Sequence, residues 1–103
     1  MDHMADISKY TNQVDEAALA GMERTYRLVL SRPDTQLVAW TDPDELATVK
    51  KNFLVKKLGL SESDGLDGGI DAVGAKLIGV NRKSRLTVYY LLAEYFGTLA
   101  SFK

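Results

Sequence analysis

Eleven residues near the carboxyl end, Leu86-Thr87-Val88-Tyr89-Tyr90-Leu91-Leu92-Ala93-Glu94-Tyr95-Phe96, leave the chain few ways to fold. Wound as a helix, they are apolar or aromatic around almost the whole circumference, with Thr87 and Glu94 alone on a polar line. A helix of that kind must be enclosed by other elements. The chain has 103 residues, enough for one domain that buries roughly 65% of the surface its unfolded form exposes. The expectation is therefore all-α: a single compact bundle of about five helices around a hydrophobic C-terminal helix running from about Asn81 or Ser84 to Phe96. The hydroxyls of Tyr89, Tyr90 and Tyr95 should reach polar partners or the surface. No stretch alternates strictly with period two, so no strand is expected.

Prolines and glycines divide the rest into segments of helical period. Val14, Ala17, Ala18, Gly21, Met22, Thr25, Leu28 and Val29 share one face of a helix predicted from about Asp15 to Leu30, and Pro33 forbids its continuation. The short run Leu37 to Trp40 reads as a turn of helix plugging the core. Asp42-Pro43-Asp44-Glu45 is a helix start: an acidic cap, proline at the first helical position, and a glutamate able to reach back to the cap. This helix should run through Leu46, Val49, Phe53, Leu54 and Leu58 and stop at a left-handed Gly59, with Leu60 folding back. Leu66, Ile70, Val73 and Leu77 form the seam of a further helix, capped by Ser61 or Ser63 and ending near Gly79. Its interior glycines cost about 1 kcal/mol each relative to alanine, which makes it the least stable helix.

Composition removes several kinds of chemistry. There are no cysteines, hence no disulfide, thiolate nucleophile or thiolate metal site. Met1-Asp2-His3-Met4 reads as a cloning remnant ahead of a single helical domain over 5–103, which leaves no native histidine to act as a base or ligand. No G-x-S-x-G elbow is present, so no catalytic residue is assigned and no enzyme is expected. The Asp64 to Asp71 segment imitates a calcium loop but places leucine where an oxygen ligand is needed, so neither metal nor cofactor is expected. Thirteen basic side chains against 14 acidic ones give no field that would draw the whole protein to nucleic acid or an anionic membrane. No apolar run approaches the roughly 18 residues of a bilayer span, and the chain reads as cytoplasmic.

Local charge is less even. Seven cations fall in two stretches, Lys50, Lys51, Lys56, Lys57 and Arg82, Lys83, Arg85, separated by Glu62, Asp64, Asp67 and Asp71. At about 100° per residue, Lys50 and Lys57 lie where core is expected, so their stems should run along apolar surface while the ammonium groups reach water or pair with Asp64, Asp67 or Asp71. Alternatively they edge a groove for an acidic peptide or phosphate. Arg82, Lys83 and Arg85 precede a helix, where an anion would meet both cations and free backbone donors. Lys50, Lys57, Arg82, Lys83 and Arg85 are thus the candidate ligand- or anion-binding residues.

Three stretches, Asp44-Glu45-Leu46, Val49-Lys50-Lys51-Asn52-Phe53-Leu54-Val55-Lys56-Lys57-Leu58-Gly59-Leu60 and Tyr89-Tyr90-Leu91-Leu92-Ala93, resemble a family of small bacterial proteins catalogued as domain of unknown function 2853. The likeness spans roughly Val14 to Gly97, and Lys-Lys-Asn-Phe-Leu is its most specific part. It implies a bacterial, all-helical, stand-alone domain and carries over no catalytic residue. Residues and resemblance together lead to the expectation of a non-catalytic protein-interaction module with an unknown protein partner, or a homodimer. The alternative is a binder of anions, nucleotides or a nucleic-acid backbone; nucleic acid and membrane are not expected partners.

Overall fold

The fold is that of a computed structural model, which describes residues 3–32, 36–80 and 83–103, the side chain of Glu62 excepted. Pro33, Asn81 and Arg82 lie outside the described residues. Ser84 opens the central helix by accepting the Thr87 amide on its Oγ. That helix spans Arg85–Tyr95 and is buried without interruption from Arg85 through Ala93. Each aliphatic or aromatic side chain so enclosed contributes about 1.5–3 kcal/mol, which makes this strip the chief source of hydrophobic stabilisation. Its phenols find partners as expected: the Tyr90 hydroxyl accepts the Asp15 amide at 2.7 Å, the Tyr89 hydroxyl accepts from Arg85 at 3.2 Å, and Tyr95 is exposed.

Around this core helix the described residues form five other α-helices. The first, α1 (His3–Ile7), packs on the central helix, and the Thr87 hydroxyl donates to the Asp6 carboxylate. The segment expected as one helix from Asp15 to Leu30 is two, α2 (Glu16–Thr25) and α3 (Arg27–Leu30). Asp15 caps α2 by accepting the Ala18 amide, and Tyr26, at φ −108° and ψ 19°, breaks the helical path. The break shifts the phase of the residues beyond it, so Leu28, assigned to the buried face, is 74% exposed.

Leu37 to Trp40 is not a turn of helix. Leu37–Val38 forms β1, which pairs antiparallel with Lys83–Ser84 (β2), Leu37 opposite Ser84 and Val38 opposite Lys83. Two residues per strand are too few to show alternation, and the backbone partners come from about 46 positions away, as loop closure permits at modest entropic cost. The Arg85 amide prolongs the ribbon by donating to the Gln36 carbonyl at 2.8 Å.

Asp42 caps α4 (Pro43–Val49) through the Asp44 amide, with proline in the first turn. Glu45 does not reach back to the cap; its carboxylate takes Arg85 instead. Beyond Val49 the helix widens into a π-helix, Lys50–Lys57, as the Leu58 amide donating five residues back to the Phe53 carbonyl illustrates. Gly59 ends it at φ +71°, and the Leu60 amide folds back to the Leu54 carbonyl. The next helix, α5 (Leu66–Lys76), buries Leu66, Ile70 and Val73, with Leu77 just beyond its end also buried. Neither Ser61 nor Ser63 caps it. Left-handed Gly65 holds the cap position, while Ser61 closes its own short turn by donating its amide to Asp64. Packing offsets the glycine cost at Gly69, because a β-carbon there would lie 2.4 Å from the Phe96 ring. The central helix is α6 in chain order, and a single 3₁₀ turn, Leu99–Phe102, returns the chain end to α2. No helix among the described residues is long and apolar enough to cross a membrane.

Candidate interaction site

The cations singled out by sequence do not share a surface role. Arg85 is only 9% exposed. Its Nη2 lies 2.5 Å from Glu45 Oε1 and 3.4 Å from the Leu37 carbonyl, and its Nη1 donates to the Tyr89 hydroxyl. Burial works against its charge, but the hydrogen bonds to Tyr89 and Glu45 outweigh burial and hold the guanidinium above its ordinary range. Aromatic rings complete the enclosure: Tyr89 stacks on Phe53 at 4.0 Å, and Tyr26 meets Tyr89 edge-on at 5.0 Å. Burial, with Tyr89 alongside, pushes the Tyr26 phenol well above its usual value. Arg85 is therefore an internal strut joining α4, β1 and α6.

Lys83 is half-buried and donates its Nζ to the Val80 carbonyl. Lys57 is exposed, its ammonium 5.5 Å from the centre of the Phe102 ring. The π-helix explains why Lys57 escapes the core position that ordinary helical spacing assigns. With residues five apart aligned, Val49 with Leu54 and Phe53 with Leu58 supply the inward side chains. Arg82 lies outside the described residues.

Lys50 borders a groove. The groove, of about 510 Å³, runs between α4 and α5, with Pro43, Leu46, Ala47 and Ile70 as its apolar lining. Across its mouth the Lys50 Nζ lies 3.2 Å from Asp67 Oδ1, the lysine side chain 25% and the aspartate 78% exposed. Asp71, one helical turn beyond Asp67, also lines it and makes no ion pair among the described residues. The Lys50–Asp67 pair is the one expected from the sequence, and with Asp71 on the same lining two carboxylates accompany one ammonium, so the mouth is acidic and the alternative of a basic edge does not describe it. No three His, Asp or Glu side chains come together among the described residues as a metal site would need.

Two features of this region escaped sequence reasoning. The exchange of Glu45 from cap to Arg85 had one available sign, a buried-helix arginine that needs a carboxylate somewhere. Asp67 and Asp71 were expected as ion-pair partners of Lys50 or Lys57, but their place beside Leu46 and Ala47 across a cleft was not legible in the spacing.

The architecture is that of a small, mostly helical domain with a two-stranded ribbon of two residues per strand. The family model described as "Protein of unknown function (DUF2853)" matches residues 2–100, nearly the whole chain, and the chain belongs to that family. A search of curated proteins returned no match.

Proposed function

We propose that this chain is a non-catalytic protein-interaction module whose α4–α5 groove receives a partner segment bearing an apolar side chain followed by a basic one. The observation that carries this is the combination of an apolar floor (Leu46, Ala47, Ile70) with a mouth where Asp67 and Asp71 outnumber Lys50. An aliphatic anchor gains from leaving water over that floor. A lysine or arginine beside it finds Asp71, whose carboxylate has no ion-pair partner among the described residues. The alternative of an anion or nucleic-acid backbone binder draws on Lys51, Lys56 and Lys57, which are exposed on the π-helix. Its support is weaker, because Arg85 is engaged inside the fold and Lys50 faces Asp67.

The two are separated by titrating the protein, followed by amide NMR shifts, with a Leu-Leu-Lys-Lys peptide, a Leu-Leu-Glu-Glu peptide and inorganic phosphate. The lysine peptide should move the amides of Leu46, Ala47 and Ile70. Asp71→Ala, at an exposed position, should weaken that binding by up to about fivefold, the value of one surface charge pair. Preference for the glutamate peptide, or phosphate shifts centred on Lys50 and Lys57, would contradict the proposal and support the anion reading.

A further inference from the structure

The Lys50–Asp67 ion pair, at 3.2 Å, stands on the lining of the α4–α5 groove itself, and Asp71 shares that lining with no ion pair among the described residues. The two helices run antiparallel here. Lys50 at the end of α4 meets Asp67 in the first turn of α5, while a β-carbon on Gly74 would lie 3.0 Å from the indole of Trp40, three residues before Pro43. Asp71 therefore lies one turn of α5 beyond Asp67, on the side away from Lys50, at about the 5–6 Å that separates such neighbours.

The two carboxylates differ in what already satisfies them. Asp67 has the Lys50 ammonium and the start of α5, where the helix dipole favours negative charge, and Asp71 has neither. Lys50 is held in place: its side chain is three-quarters buried, and its backbone amide donates to the Leu46 and Ala47 carbonyls. A cation arriving at Asp67 must displace an ammonium tethered to the same fold, exchanging one surface pair for another of similar value. At Asp71 nothing is given up. Building on the reading of this groove as a peptide site, we infer that Lys50 is its specificity-determining residue and limits the groove to one base. A partner segment gains from one basic side chain, received by Asp71, and gains nothing from a second aimed at Asp67. Without Lys50 the same lining carries two carboxylates and no cation, and a segment with two bases becomes the preferred occupant.

Two peptides with blocked termini test this, Leu-Leu-Lys-Ala-Ala and Leu-Leu-Lys-Ala-Lys, the lysines of the second lying about 7 Å apart on one side of an extended chain. Titrations followed by the amides of Leu46, Ala47 and Ile70 should give wild-type affinities equal within about twofold. Lys50→Met, which keeps an aliphatic stem, should bind the two-lysine peptide about fivefold more tightly than the one-lysine peptide, and about 0.5 M salt should erase the difference. Lys50→Gln should shift the preference the same way, so a methionine variant that fails to fold leaves the test intact. Adding Asp67→Asn to Lys50→Met should bring the two affinities back to within about twofold of each other. A wild-type chain that already prefers the two-lysine peptide about fivefold, or Lys50 variants that bind both peptides alike, would overturn the role of Lys50 and leave the groove reading standing. If neither peptide moves those amides in wild type or variant, the groove reading falls and takes this inference with it.

Discussion

Replacing Glu45 by alanine is expected to destabilise the fold by about 3 kcal/mol and lower its melting temperature by roughly 15 °C. The cost arises at Arg85. Its guanidinium is 9% exposed and held in its charged form, so loss of the carboxylate 2.5 Å away leaves a buried cation that cannot neutralise itself. The Tyr89 hydroxyl and the Leu37 carbonyl remain as acceptors, and water reaches the vacated position because the Glu45 side chain is 24% exposed. Both features place the effect at the lower end of the 3–5 kcal/mol typical of breaking a buried pair. The charge and not the contact area is at stake, so Glu45→Leu combined with Arg85→Met should recover to within about 1 kcal/mol of wild type. Thermal or urea unfolding measures both. A Glu45→Ala variant within about 0.5 kcal/mol of wild type would mean that the pair is an ordinary surface contact.

Gly21→Ala should lower stability by about 2 kcal/mol although alanine is the better helix former. A β-carbon at Gly21 would sit 1.6 Å from the Phe102 carbonyl oxygen and 2.7 Å from its carbon. Backbone cannot rotate aside as a side chain can, so the whole Leu99–Phe102 turn must move. With it goes Phe102, which is buried and lies parallel to Phe53 at 6.2 Å, and the Lys103–Asp15 contact at 2.8 Å. Lost burial of one aromatic side chain, about 2–3 kcal/mol, exceeds the gain of up to about 1 kcal/mol from replacing glycine inside a helix. The sign should therefore reverse once the obstacle is removed. In a chain ending at Thr98, Gly21→Ala should be neutral or stabilising relative to Gly21 in the same shortened chain. Destabilisation of equal size in both backgrounds would show that the close approach is not its cause.

Much of the helical framework was legible in the residues because its causes are local. Asp42-Pro43 starts α4, Gly59 stops its π-helical continuation, and the apolar circumference from Leu86 to Phe96 forces that helix inside. The features that escaped depend on partners distant in the chain. The β1–β2 ribbon joins Leu37 to Ser84, and no two-residue segment carries a period. Glu45 obeys the spacing of a capping box yet prefers Arg85, because a buried cation gains more from a carboxylate than an exposed amide does. The π-helix at Lys50–Lys57 changed which residues align, so a wheel drawn at ordinary helical spacing placed Lys57 at the core when it is exposed. The break at Tyr26 did the same for Leu28. Of the five candidate site residues, Lys50 lines the α4–α5 groove and Arg85 serves the interior, and that difference is one of burial, which spacing alone does not reveal.

The enclosed position of α6 determines which cations stay inside and which surfaces remain for partners, and amide hydrogen exchange reads it directly. Tyr89 to Ala93 should exchange more slowly than any other segment, with an opening free energy equal to that of global unfolding and well above that of glycine-rich α5. Exchange of those amides through local openings as easy as those of α5 would contradict it.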